Sequence, residues 1–334
     1  MVQTSTESLG VENTRRSTDF TPSIWADCFI SNQQVINAVT QHEHEKLKEE
    51  VRRIVVGLHD SPSLQPKLIL IDTLQCLGIF YHFETEIEDI LQSVHQHHVY
   101  DGDDNCNDLL SAALLFRLLR QERIYISPDI FKKFQDDKRH FKESLIHDIR
   151  GILALYEASF LGMHGELILD EAQAFAITHL KSSIAMGTCP PELLEQVIHA
   201  LDVPFHWNFA RLEARHYILV YKQNMSNAHE EALLKFAALD FNIVQALHHN
   251  EISQITRWWK ELNTIKMPRF IRSRVVEYFF MALMVYFQPD YSEARILAVK
   301  LIHLITPIDD AHDNYGTMKE LELFMDALER SLLL

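Results

Sequence analysis

Across residues 226–250 the apolar side chains Leu233, Ala237, Phe241, Val244 and Leu247 recur at steps of three and four, and Ile252, Ile255, Trp259 and Leu262 repeat the pattern directly afterwards. That spacing keeps one face of an α-helix apolar and breaks the in–out alternation that a half-buried strand requires. We read the first stretch as one amphipathic helix and the second as the next helix. No segment shows a convincing period of two or a fixed-length repeat. With only 9 Gly and 10 Pro in 334 residues, the chain has too few turn formers for an all-β protein. The expected class is all-α, in one large or two medium domains.

Helix starts are also visible. Ser127-Pro128-Asp129 and Cys189-Pro190-Pro191-Glu192 place proline in a first turn, where its missing N–H costs nothing. Thr317 and Glu320 have capping-box spacing, and Gly316 suits the end of the preceding helix. Polar breaks fall at residues 60–63, 101–108 and 224–227. The last is the expected domain boundary, giving residues 1–225 and 226–334.

Subtracting 47 acidic from 31 basic residues leaves a net charge of −16, which repels nucleic-acid phosphates and anionic lipid. A nucleic-acid partner is therefore not expected. No apolar run reaches the roughly 18 residues of a membrane span. The first twenty residues hold Glu7, Glu12 and Asp19 and no apolar stretch, so we expect a cytoplasmic chain. Cys28, Cys76, Cys106 and Cys189 form no CxxC pair and read as free thiols.

The chemistry concentrates near the end. Ile296, Leu297, Val299, Leu301, Ile302, Leu304 and Ile305 cover nearly every side of a helix, which we expect to be buried. It runs into Asp309-Asp310-Ala311-His312-Asp313. Asp309 and Asp313 lie one turn apart on one face, with Asp310 rotated by about 100°. Carboxylates at a helix C-terminus repel one another and oppose the helix dipole, so a cation should offset them; a solvated helix end is the competing reading. Magnesium suits the donor set, since it takes one or two carboxylates plus waters and phosphate oxygens. Upstream, Arg272-Ser273-Arg274 stands after Pro268 and before the apolar residues 275–287, two permanently charged forks that match phosphate. Asp101-Gly102-Asp103-Asp104 reads as a loop, His95, His97 and His98 as a solvated helix end, and Trp258 and Trp259 as packing residues.

Taken together, these features resemble plant terpene synthases of the sesquiterpene type. Arg15-Arg16, eight residues, then Trp25 reproduces that family's N-terminal element, and residues 109–120, 165–180, 211–221, 257–260 and 308–317 resemble family blocks in the same order. The resemblance implies an N-terminal barrel-like helical domain, here 1–225, followed by a class I terpenoid fold from residue 226. It further implies Mg²⁺ or Mn²⁺ held by Asp309 and Asp313 with support from Asp310. Arg272 and Arg274 would hold the diphosphate, and Arg15, Arg16 and Trp25 would form a cap over the site. The implied reaction is ionisation of the allylic C–O bond of farnesyl diphosphate followed by cyclisation, in a monomer.

Two departures qualify this. Only 21 residues follow Asp313, and the family's second metal motif is absent, which implies an incomplete class I domain. Met281 stands nine residues after Arg272, where the family usually places tryptophan. An inactive truncated paralogue that retains metal or diphosphate binding is the alternative.

Overall fold

The computed structural model describes residues 21, 23–25, 28–30, 36–59, 61–100, 106–225, 227–263 and 270–332. Among these there are helices and no strand, only one isolated antiparallel bridge between Gln135 and Phe141. The all-α expectation holds. Two compact units divide the chain, one of residues 36–244 and one that joins residues 1–35 to 245–334. Arg15, Arg16 and residues 101–104 lie outside the described residues.

The first unit holds α1 (Ala38–His59), α2 (Leu64–Cys76), α3 (Glu84–Tyr100), α4 (Leu109–Gln121), α5 (Ile149–Ser159), α6 (Leu167–Ala185), α7 (Pro191–Asp202) and α8 (Ala210–Asn224). Leu68, Ile71 and Leu74 of α2, Leu115, Phe116 and Leu119 of α4, and Ile152 and Leu155 of α5 share one core. Each such side chain contributes about 1.5–3 kcal/mol on burial. α4 starts where Asp108 accepts the Ser111 N–H at 2.8 Å. It is buried along nearly its whole length, so even Arg117 lies inside, where Asp72 and Gln75 of α2 pair with it. Gly78 has φ +71°, and a Cβ there would stand 2.7 Å from Ala214 Cβ, so conformation and space both demand glycine.

Both proline starts are where the sequence puts them, with different outcomes. α7 opens at Pro191, whereas Pro128–Phe134 is a 3-10 helix capped by Ser127. The two helices expected around residue 250 are a single one, α9 (Ala228–Asn263). Neither Gly nor Pro interrupts it, and Glu251 and Ile252 at the expected junction are buried and held by packing.

In the second unit α9 continues into α10 (Val275–Val285), α11 (Ser292–Asp310) and α12 (Met318–Leu332). Ile252, Ile255, Trp259, Val275, Phe279 and Val299 form its core, with Phe29 and Trp258 packed against it. Trp258 and Trp259 thus serve packing, as expected. The expected full burial of α11 is wrong. One stripe is buried, Arg295, Val299, His303, Thr306 and Asp310, while Leu297, Leu301, Leu304, Ile305 and Ile308 are exposed. The unit packs α9 and α10 along that stripe, and none of its described residues covers the opposite side.

Two buried polar features hold α11 in place. Arg295 makes a bidentate pair with Glu251 of α9, Nε to Oε2 at 3.0 Å and Nη2 to Oε1 at 2.7 Å, and donates from Nη1 to the carbonyls of Tyr286 and Gln288. His303 lies edge-on to Trp259 and Tyr278, and its Nε2 has no hydrogen-bond partner among the described residues. Burial pushes this imidazole down to about 4.

Glu251→Ala strands the Arg295 charge in the core and is expected to cost about 3–5 kcal/mol, read as a drop in the urea midpoint. The paired change Glu251→Leu with Arg295→Met should recover most of it. His303 predicts a pH dependence. Its folded pKa lies below the unfolded value near 6.5, so the unfolded chain binds the extra proton. Its stabilising contribution is complete above pH 6.5 and is lost as pH falls towards 4, amounting to roughly 3 kcal/mol. Urea titrations of His303→Leu and the parent should therefore diverge in the variant's favour between pH 6.5 and 4, and run parallel above pH 6.5.

Candidate metal and diphosphate site

α11 delivers the acidic motif. Pro307 inside the helix has no N–H to offer the carbonyl of His303, and three residues after it the α-helix gives way to a π turn over Ala311–Tyr315. Such turns recur at functional sites. The π turn closes with the Gly316 N–H on the carbonyl of Ala311. A Cβ on Gly316 would meet that same oxygen at 2.8 Å and Leu321 Cδ2 at 2.6 Å, so the turn needs glycine for space. Thr317 then starts α12, with its N–H and its hydroxyl both 3.0 Å from Glu320 Oε2. The expected capping-box pair is present in this form.

The acidic residues divide by burial. Asp310 is 0% exposed and Asp309 is 56% exposed at the side chain. Asp313 is exposed as well. Arg272 accounts for the difference. Its backbone N–H donates to Asp310 Oδ2 at 2.8 Å, and its guanidinium, through Nε and Nη2, grips Asp310 Oδ1. Arg272 Nη2 also stands 3.4 Å from Asp309 Oδ2. Both Asp310 oxygens are thus engaged by Arg272, and the pairing pushes the guanidinium pKa further up. Arg274, the N-cap residue of α10, is exposed.

Two contacts that sequence reasoning missed brace this arrangement. Phe270 stacks on Tyr315 at 3.9 Å between centroids, which joins the segment before Arg272 to the π turn. The Thr306 and Tyr278 hydroxyls share a hydrogen bond at 2.9 Å, which joins α11 to α10. Aromatic residues flanking both motifs are the only sequence signal for the first. Trp25 is partly exposed and lies 6.2 Å from Phe29. Met281 and its neighbour Phe280 are exposed, whereas Phe279 is buried.

The donor chemistry fits a hard divalent cation. Two exposed carboxylates at one helix end, with the third neutralised by arginine, are the one-or-two-carboxylate set that magnesium uses. A separate cavity lies within residues 36–244, lined by Asp72, Cys76, Arg117, Arg150, Glu157 and His199 among others. Burial there pushes the Glu157 carboxyl up to about 8.

Residues 24–201 match the model for "Terpene synthase, N-terminal domain" and residues 260–331 match "Terpene synthase family, metal binding domain", which contains both the arginine pair and the aspartate motif. The chain is 45% identical to a (−)-germacrene D synthase of Vitis vinifera, over 97% of this chain and 57% of that one. It is likewise 45% identical to an (E)-beta-farnesene synthase of Citrus junos, over 98% and 58%. Among solved structures, isoprene synthase from grey poplar, in complex with three Mg²⁺ ions and dimethylallyl-S-thiolodiphosphate, matches with TM-score 0.78 and 40% identity, over 88% of this chain and 55% of that one. A limonene synthase with 2-fluorolinalyl diphosphate matches with TM-score 0.83 and 34% identity, over 95% and 58%. The chain spans a little over half the length of the relatives it matches. With one family model covering more than half of its residues and a second covering the aspartate motif, the chain belongs to the terpene synthase family.

Proposed function

We propose that this chain carries the diphosphate-ionising half of a sesquiterpene synthase, acting on farnesyl diphosphate, with the family's two domains at residues 1–225 and 226–334. The observation that carries the reading is the Arg272 grip on Asp310, which leaves Asp309 and Asp313 at the solvent end of α11. Asp309 and Asp313 would hold Mg²⁺ or Mn²⁺, and a bound ion supplies Lewis-acid neutralisation of the diphosphate. Asp310 acts as a positioning residue, fixing Arg272. Arg272 and the exposed Arg274 would hold phosphoryl oxygens and offset the charge that builds on the leaving group as the allylic C–O bond breaks. The C–O electron pair departs with the diphosphate and leaves an allylic cation. Arg15 and Arg16 would cover the site with Trp25. The chain would act as a cytoplasmic monomer, and no described helix is long and apolar enough to cross a membrane.

A second reading is a non-catalytic paralogue that binds Mg²⁺ and diphosphate without turnover. The exposed stripe Leu297, Leu301, Leu304, Ile305 and Ile308, beside exposed Phe280 and Met281, favours it. A carbocation needs a closed, water-free pocket, and an exposed apolar wall does not provide one.

The two readings separate in one assay. The purified chain, farnesyl diphosphate and Mg²⁺ should give an extractable hydrocarbon, and absence of any product from well-folded protein would rule out the catalytic reading. Both readings predict Mg²⁺-dependent binding of diphosphate by calorimetry. Asp309→Ala with Asp313→Ala should abolish that binding and lower any turnover by about 100-fold or more. Binding that survives the double change would show that the motif is not the site.

A further inference from the structure

Residues 36–244 hold a second convergence of chemistry-bearing side chains, which the terpene synthase reading does not use. His44 comes from α1, Tyr81 and His82 from the short 3-10 turn Phe80–His82, and Asp240 from α9. His44 Nε2 lies 2.9 Å and His82 Nε2 lies 2.8 Å from the same oxygen, Asp240 Oδ1. One ligand atom from each of the three residues falls within 4.8 Å of the other two. The Tyr81 hydroxyl is 2.9 Å from both Asp240 oxygens. His44 and Asp240 are buried, Asp240 at 2% exposure, while Tyr81 and His82 are half-buried, and the Phe236 ring stands 5.1 Å from each imidazole.

We propose that His44, His82 and Asp240 form a binding site for a zinc-class divalent ion, with Tyr81 holding the carboxylate from outside and a water completing the coordination. Two imidazole nitrogens and one carboxylate oxygen form a borderline donor set, which selects zinc, cobalt or nickel over magnesium and calcium. Bonds of about 2.0–2.1 Å in a tetrahedron place ligand atoms roughly 3.3 Å apart. The two short edges therefore need to open by about half an ångström, a side-chain adjustment. Three ligands from well-separated stretches of the chain, rather than from one flexible loop, fix the site by the fold itself.

The charge state suits a cation. Burial pushes the Asp240 carboxyl up, but hydrogen bonds from His44, His82 and Tyr81 outweigh it and hold the group down to about 2. Arg211 interacts electrostatically with Asp240 and Tyr81 and opposes the added charge. The expected affinity is accordingly moderate, with a Kd on the order of 1 μM.

The test uses the full chain carrying Asp309→Ala and Asp313→Ala, so that the aspartate motif cannot contribute, after chelator treatment. Co²⁺ and Zn²⁺ are titrated by visible absorption and calorimetry. Expected are one ion per chain, the intense visible band of tetrahedral cobalt, its loss on adding Zn²⁺, and no competition from excess Mg²⁺. His44→Gln keeps an N–H for Asp240, so it removes the ligand without removing the bond, and should weaken Zn²⁺ binding at least about 100-fold with unchanged far-UV circular dichroism. No cobalt band, or an unchanged zinc isotherm in His44→Gln, would overturn the site and leave the three residues as a hydrogen-bonded lock.

Discussion

The bond between Arg272 and Asp310 is the constraint on which the candidate site depends. A carboxylate with no exposure at a helix C-terminus is opposed by desolvation and by the helix dipole together. Arg272 meets it with backbone and side chain at once, so the start of α10 is fixed to the end of α11. Only then do Asp309 and Asp313 acquire defined positions at the solvent edge. The middle aspartate thus organises the motif by being absent from its outer face, and the arginine that looks like a phosphate ligand in sequence is first an anchor.

The same logic runs along α11. Its buried stripe is mostly polar, with Arg295 and His303 flanking Val299 and Thr306 and Asp310 following, and each polar member has a specific partner or a specific cost. Glu251 satisfies Arg295 through both oxygens, and the carbonyls of Tyr286 and Gln288 take the remaining guanidinium donor, so the turn between α10 and α11 is written by one side chain. His303 is tolerated only as neutral imidazole, between Trp259 and Tyr278. Replacing such buried ionic contacts by apolar packing is often neutral for stability, so their value here lies in fixing one register of α11 against α9 and α10.

What was legible in the sequence was local. The cap of α12 at Thr317 and the proline start of α7 are carried by residues a few positions apart. The continuity of α9 through residue 251 is not legible in the sequence, because Glu251 is held inside by Arg295, a partner 44 positions away. The all-round apolar character of α11 does not amount to burial, because hydrophobicity says what a helix can cover and not what is present to cover it. His44, His82 and Asp240 were invisible for a similar reason. Separations of 158 and 196 residues leave no spacing to recognise, and a single histidine on a helix or in a short turn looks like an ordinary surface residue.

The π turn exposes the limit of periodicity even inside the motif. Reading Asp309 and Asp313 as one helical turn apart assumes α geometry through residue 313, but the hydrogen bonding widens from Ala311 onward. In a wider turn the fifth residue no longer stacks directly over the first, so helix geometry alone does not set the separation of the two carboxylates. It is set instead by what holds the turn open: Gly316, whose missing Cβ admits the Ala311 carbonyl and Leu321, and the Phe270–Tyr315 stack, which ties the turn to the arginine segment. The spacing of a metal-binding pair is therefore a tertiary property here, shared between the aspartates, one glycine and an aromatic contact outside the motif.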